Sequence, residues 1–247
     1  MSEKTATAPR RALVTGASGD IGMAICRALA AQGHFVYAHA HANAARAQAV
    51  VEEIVAGGGR AQSVVFDLTD AAASRSVLES VLESGPIGVL VHNAGIHDDA
   101  PLAGMTDTQW HCVIDVSLHG FFHATQPLLL PMARAKFGRI VAVSSVAAVL
   151  GNRGQVNYAA AKAALHGAAK SLAREMASRG VTVNVVAPGV IAGRMAEGAF
   201  DEAQIRQMVP AARAGTPEEV AALIAFLCSD AASYINGQVV GVNGGMA

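Results

Sequence analysis

Seven short apolar runs punctuate the chain: RALVTG, HFVYAHA, AQSVVFDL, GVLVHNAG, RIVAVSS, VTVNVVAPG and QVVGVNGG. They are rich in valine and bounded by Gly, Asn, Asp or Pro, which reads as strands. Several are apolar nearly throughout, as strands covered on both faces must be. Between them lie alanine-rich stretches with helical spacing of apolar positions, which predict helices at 20–32, 44–56, 70–83, 106–135, 155–178 and 217–228. Alternation of this kind predicts an α/β fold, a doubly wound parallel sheet of about seven strands with helices on both faces.

The 247 residues contain no Pro- or Ser-rich linker and no repeat, so residues 11–247 are expected to form one domain after a flexible segment at 1–10. The stretch 192–214 is the least regular and falls before the last helix, where a lid would lie. Hydrophobic residues make up 52% and charged residues 15%, which argues against disorder. A net charge of -1 gives no reason to expect nucleic acid or an anionic membrane surface. The apolar runs break well short of the roughly 20 residues a bilayer crossing needs, and the start is polar, so a cytoplasmic protein is expected. Cys26, Cys112 and Cys228 lie far apart, without zinc or disulfide spacing. His39 and His41 alternate and His97 precedes Asp98 and Asp99, but no ligand set completes them, so no metal is expected.

The first strand runs directly into ASGDIG, with Gly16, Gly19 and Gly22 before and within the first helix. Glycines there let a pyrophosphate approach backbone N–H groups at a helix N-terminus, the Rossmann-type arrangement. Tight packing of the turn is the plainer alternative. The second strand ends near Ala40 and His41 with no acidic residue before Glu52, so nothing there selects NAD through a ribose hydroxyl. The place leans toward NADP, with His41 or Arg46 to meet a phosphate. His41 as an ordinary loop residue stays open.

NYAAAKAALHG sets Tyr158 and Lys162 four residues apart, on one face of a helix. An ammonium there would favour a phenolate and lower the tyrosine pKa from about 10. Alone, the pair would be a core tyrosine beside a surface lysine.

Taken in order, VTGASGDIG, FDLTD, HNAG, VSLHGFFHATQPLL, GRIVAVSSVAAVLGNRGQVNYAAAKAAL, VTVNVVAPG and YINGQVVGVNGG span most of the sequence. This series resembles the short-chain dehydrogenase/reductase family, and within it the 3-oxoacyl-[acyl-carrier-protein] reductases. The resemblance implies Tyr158 as acid/base, Lys162 as its partner and a ribose ligand, and Ser145, rather than Ser144, as the serine that holds the carbonyl oxygen. It implies cofactor contacts from Gly16, Ser18, Gly19, Asp20 and Ile21 in the first turn and from Asp67 and Leu68 at the adenine. Asn93, Ala94 and Gly95 would line the ribose side, and Pro188, Gly189, Val190 and Ile191 the nicotinamide. NADPH is the implied cofactor, with NADH possible.

Three departures stand out. Asp20 holds the place of the turn's middle glycine, with Gly19 where NADP enzymes often carry arginine. A carboxylate there would repel pyrophosphate unless turned away as a helix N-cap. Ser117 replaces the asparagine that holds a water in the family's proton relay. Gly193 replaces a threonine that contacts the carboxamide.

The implied reaction is reduction of a 3-oxoacyl thioester on acyl carrier protein, in fatty-acid or related polyene or polyketide synthesis. The acidic carrier would dock on Arg134, Lys136, Arg139, Arg174 and Arg179. The resemblance also implies a homotetramer. A dehydrogenase for a free alcohol, sugar or small ketone is the alternative. A non-catalytic cofactor-binding subunit is a second.

Overall fold

The computed structural model describes residues 10–194 and 201–247. The expected flexible segment at 1–10 lies almost wholly outside them, as does part of the expected lid. One sheet of seven strands is formed by β1 (Arg11–Thr15), β2 (Phe35–Ala40), β3 (Arg60–Val65), β4 (Ile87–His92), β5 (Gly138–Val143), β6 (Val181–Pro188) and β7 (Val239–Val242). All pairings are parallel, in the order β3-β2-β1-β4-β5-β6-β7.

The helices are α1 (Asp20–Ala31), α2 (Ala44–Ala56), α3 (Ala71–Glu83), α4 (Asp107–Ile114), α5 (Gly120–Ala135), α6 (Ala147–Leu150), α7 (Val156–Met176), α8 (Glu202–Met208) and α9 (Pro217–Cys228). Local chemistry sets several starts. Asp70 caps α3 by accepting from Ala72 and Ala73 N–H, and Thr106 with Gln109 forms a capping box on α4. Thr216 and Glu219 form another on α9, with Pro217 at the first helical position.

The two-residue period of the strands sorts the core into two layers. Ala12 and Val14 of β1 face Ile25 and Leu29 of α1 and Val220 and Ile224 of α9. Leu13 between them faces the other layer, with Leu78 of α3, Leu128 and Met132 of α5 and Leu165 of α7. Each fully buried Leu or Ile contributes about 1.5–3 kcal/mol relative to exposure, so both layers anchor the sheet strongly.

Two expectations are corrected. The single helix at 106–135 is broken: α4 and α5 are separated by a π-helical turn at Asp115–His119. A π turn differs in its i→i+5 backbone bonds, and no Gly or Pro within 114–119 marks the break in the sequence. Arg139 does not belong to a basic surface. It lies in β5, only 4% exposed, and donates to the carbonyls of Gly138, Gly180 and Ser229. Strand direction, not sequence proximity to a helix, decides that it points inward.

β2 and β3 extend from β1 in one direction and β4 to β7 in the other. That reversal opens a crevice outside the carboxyl ends of β1 and β4, where ligands of open α/β sheets bind.

Candidate active site

The turn after β1 is held from three sides. Gly16 N–H donates to Nδ1 of His39 at 3.3 Å, and Ala17 N–H to the His39 carbonyl at 2.8 Å. The other ring nitrogen of His39 meets the Phe66 carbonyl at 3.0 Å. Burial lowers the His39 pKa to about 4, so the ring is neutral and suits one acceptor and one donor role. Asn93 Nδ2 donates to the Gly16 carbonyl at 3.0 Å and the Thr15 carbonyl at 3.3 Å. A Cβ on Gly22 would fall 2.3 Å from the Gly16 oxygen and 2.8 Å from Ala17 Cα, so α1 can pack against the turn only with glycine there.

α1 begins at N-cap Gly19, which has no side chain to cap the helix's first backbone donors. Uncapped N–H groups at the positive end of a helix suit a pyrophosphate, and the residues present fit a dinucleotide. Asp20 is not the N-cap the sequence suggested. It is the first residue of α1, with its carboxylate 3.0 Å from Arg46 Nη2 and 2.8 Å from the backbone nitrogen of Arg194.

At the far end, Asp67 Oδ1 accepts from the N–H and hydroxyl of Thr69, both at 2.8 Å. Burial pushes its carboxyl upward, but those bonds and the nearby imidazoles of His41 and His39 outweigh it, and the pKa lies below the ordinary value. His41 Nε2 is 3.8 Å from Asp67 Oδ2 on an exposed side chain. Leu68 is buried, and its carbonyl is bonded to His123 Nδ1 at 2.7 Å.

Tyr158 and Lys162 lie in the first turns of α7. Lys162 is 3% exposed and its Nζ donates to the Val143 carbonyl at 2.9 Å. Burial lowers its pKa to about 8. Its Nζ is 5.8 Å from the centre of the Tyr158 ring. Burial raises the Tyr158 pKa; a side-chain hydrogen bond with Ser145 pulls against this, and the Asp99 carboxylate adds to it. The expectation that Lys162 drags the phenol down does not describe this state. The ammonium is committed to Val143 and its own charge is disfavoured by burial, while desolvation is the leading influence on the phenol.

The two serines after β5 separate by direction. Ser144 Oγ contacts the Lys162 carbonyl at 3.0 Å and His166 Nε2 at 2.8 Å, within the scaffold. Ser145 Oγ accepts from Ala147 N–H at 3.1 Å and sits with the Tyr158 hydroxyl. Ser117 occupies the π turn, fully buried, and its Oγ has no partner among the described residues. A Cβ built on Gly95 would lie 2.7 Å from Lys162 Nζ and 3.5 Å from Ser117 Oγ, so the three meet at one point. An unpaired buried hydroxyl beside an ammonium is a place for an ordered water.

The turn after β6 is partly committed to the scaffold. Gly189 N–H donates to the Val242 carbonyl at 2.9 Å, and the Pro188 carbonyl accepts from Val146 N–H at 2.7 Å. The Val190 carbonyl accepts from Gly215 N–H at 2.9 Å, and Ile191 bridges Gly215.

The sequence reading missed three supporting residues. Thr15 Oγ1 accepts from Asn93 and Ala94 N–H, at 3.0 and 3.1 Å, and reaches His92 Nδ1 at 3.2 Å. His92 Nε2 meets the Ser117 carbonyl at 3.0 Å and so ties β4 to the π turn. Burial first, and Lys162 second, lower the His92 pKa to about 3, which keeps the ring neutral. Asn157 Nδ2 donates to the carbonyls of Asp98 and Gln109, at 3.0 and 2.8 Å, while its Oδ1 accepts from Tyr158 N–H at 2.8 Å. For Asn157 the only signal was its place just before Tyr158.

The arrangement puts two hydroxyls, a buried amine and a phosphate cradle around one crevice, a set suited to proton exchange with a carbonyl beside a dinucleotide. Comparison with known proteins agrees. Residues 16–247 match a family model described as enoyl-(acyl carrier protein) reductase. The chain is 45% identical over 238 residues to the 3-oxoacyl-[acyl-carrier-protein] reductase FabG of Escherichia coli, covering 95% of this chain and 96% of that protein. It is 47% identical over 244 residues to the 3-oxoacyl-[acyl-carrier-protein] reductase of Synechocystis, with 98% of each covered. A crystal structure of a putative gluconate dehydrogenase from Agrobacterium tumefaciens superposes with a TM-score of 0.93 at 30% identity, covering 96% of this chain and 95% of that one. With that fold, those motifs and this likeness along nearly its whole length, the chain belongs to the short-chain dehydrogenase/reductase family of NAD(P)-dependent oxidoreductases.

Proposed function

We propose that this protein reduces 3-oxoacyl thioesters on acyl carrier protein to 3-hydroxyacyl thioesters with NADPH, in fatty-acid or related polyene or polyketide synthesis. The observation that carries the reading is buried Lys162, its Nζ 5.8 Å from the Tyr158 ring one helical turn away, with Ser145 beside that tyrosine, in a chain so similar to named 3-oxoacyl reductases.

When bound, the nicotinamide cofactor supplies the hydride. Ser145 donates a hydrogen bond to the ketone oxygen and orients it. Tyr158, held protonated by burial, gives its proton to that oxygen as negative charge develops. Lys162 stabilises the phenolate left behind, and its own pKa near 8 suits it to pass a proton on at neutral pH. Ser117 Oγ offers the next position for a proton-carrying water. First-turn backbone donors would hold the pyrophosphate, and the lack of an acidic residue at the end of β2, where Ala40 and His41 stand, favours the extra phosphate of NADPH. Exposed Arg134, Lys136, Arg174 and Arg179 offer the carrier a cationic face, without Arg139. The exposed side chains of Phe122 and Leu130 on α5 support helix pairing in a homotetramer. A cytoplasmic setting goes with this reading.

The test is initial rates on acetoacetyl-acyl carrier protein with NADPH and with NADH, alongside a 2-enoyl thioester and gluconate. Faster turnover of the 3-oxo substrate, with NADPH ahead of NADH, is the expected result. Turnover of only the enoyl thioester or the sugar acid overturns the proposal.

A further inference from the structure

Two departures from the family pattern, Asp20 and Gly193, meet in space. Asp20 Oδ2 accepts from the Arg194 backbone N–H at 2.8 Å. Its Oδ1 receives Arg46 Nη2 at 3.0 Å and Arg194 Nε at 3.3 Å. Arg194 then continues over the first turn, donating from Nη2 to the Ser18 carbonyl at 3.2 Å. Gly193 has φ +143°, and a Cβ there would fall 2.7 Å from Asp20 Oδ2. The carboxylate and the missing side chain are therefore one feature: the chain leaving β6 folds onto the cradle, and a threonine at this positive φ would be strained and would push the Asp20 carboxylate aside.

The cluster carries two cations and one carboxylate, beside the uncapped N-terminus of α1. Arg46 Nη1 is buried with no partner among the described residues, so this guanidinium holds an unused donor. Exposure of 28% for Asp20 and 54% for Arg194 keeps the ion pair weak enough to exchange. A phosphate carries more charge than a carboxylate and offers a guanidinium more acceptor oxygens.

Resting on the cofactor reading above, we propose that Asp20 is an internal anion that holds Arg194 and Arg46 at the cradle until the phosphates of the cofactor replace it. The two guanidinium groups exchange carboxylate for phosphate, with Gly193 and Arg194 remaining over the first turn. Asp20 thereby sets cofactor affinity, and weighs most against the cofactor with the additional phosphate.

Dissociation constants of NADPH and NADH, from nicotinamide fluorescence without substrate, test this. Asp20→Asn removes the competing charge, and NADPH binding should tighten about threefold or more, a change of under about 1 kcal/mol at the lower bound, with a smaller gain for NADH. Arg194→Ala, on an exposed side chain whose loss spares the core, should weaken NADPH binding by a similar factor. Unchanged or weaker NADPH binding in Asp20→Asn overturns the proposal. So does tighter binding in Arg194→Ala, which would make Arg194 only a cover. Wild-type protein that binds neither cofactor overturns the functional reading and the exchange with it; wild-type binding with unresponsive variants overturns the exchange alone.

Discussion

Replacing Lys162 with methionine separates the demands of catalysis from those of folding. The side chain is 3% exposed, and burial lowers its pKa from 10.5 to about 8. At about 1.4 kcal/mol per tenfold change in proton affinity, holding the ammonium in the fold costs about 3 kcal/mol at neutral pH. Methionine fills similar volume without charge but leaves the Val143 carbonyl without its 2.9 Å donor, a loss of about 1–2 kcal/mol. The variant should therefore be more stable at pH 7 by about 1–2 kcal/mol, a rise in Tm of a few degrees for a domain this size. Activity should vanish in the same protein, an active site that trades stability for function.

The pH dependence fixes the cause. Below pH 8 the lysine is protonated in both folded and unfolded chains, and the wild type bears the full penalty. Between about 8 and 10.5 the folded protein releases the proton first while the unfolded chain keeps it. The unfolded state then binds more protons, so wild-type stability rises with pH relative to the variant. Thermal melts of both proteins without cofactor, from pH 7 to pH 10, measure this difference. A variant that melts lower at pH 7, or a Tm gap that stays flat across the range, refutes the reasoning.

Two other substitutions probe the site from different directions. Tyr158→Phe keeps the ring and removes the proton donor; turnover should fall to background in a coupled assay while NADPH titration shows unchanged binding, and retained turnover would remove Tyr158 from the chemistry. Gly22→Ala places a methyl 2.3 Å from the Gly16 carbonyl oxygen; urea unfolding should show a loss of about 2–4 kcal/mol, with weaker dinucleotide binding, and a neutral result would mean the turn relaxes freely.

Much of the fold was legible because buried parallel strands and amphipathic helices write different periods. The seven runs correspond to the seven strands, and five of the six expected helices fall within about two residues of their observed ends. The sixth concealed the π turn at Ser117, since π geometry lies in i→i+5 backbone bonds and no Gly or Pro within 114–119 marks it. Tyr158, Lys162, Ser145 and the first-turn glycines were legible through ordered motifs. His92, Thr15 and Asn157 were not, because their roles consist of bonds to carbonyls and amides brought in from other elements.

The sequence by itself determined the layered α/β architecture and the glycine turn after β1, which depend on local pattern and spacing, and it suggested the reactive side chains through its resemblance to a family. Only the tertiary structure decided how those groups are tuned. Burial sets the pKa of Tyr158 upward and of Lys162 downward, β5 turns Arg139 inward, and β6 returns Gly193 and Arg194 onto Asp20 across 174 residues. Desolvation and long-range ion pairs depend on what the completed fold places nearby, and no window of sequence contains both partners.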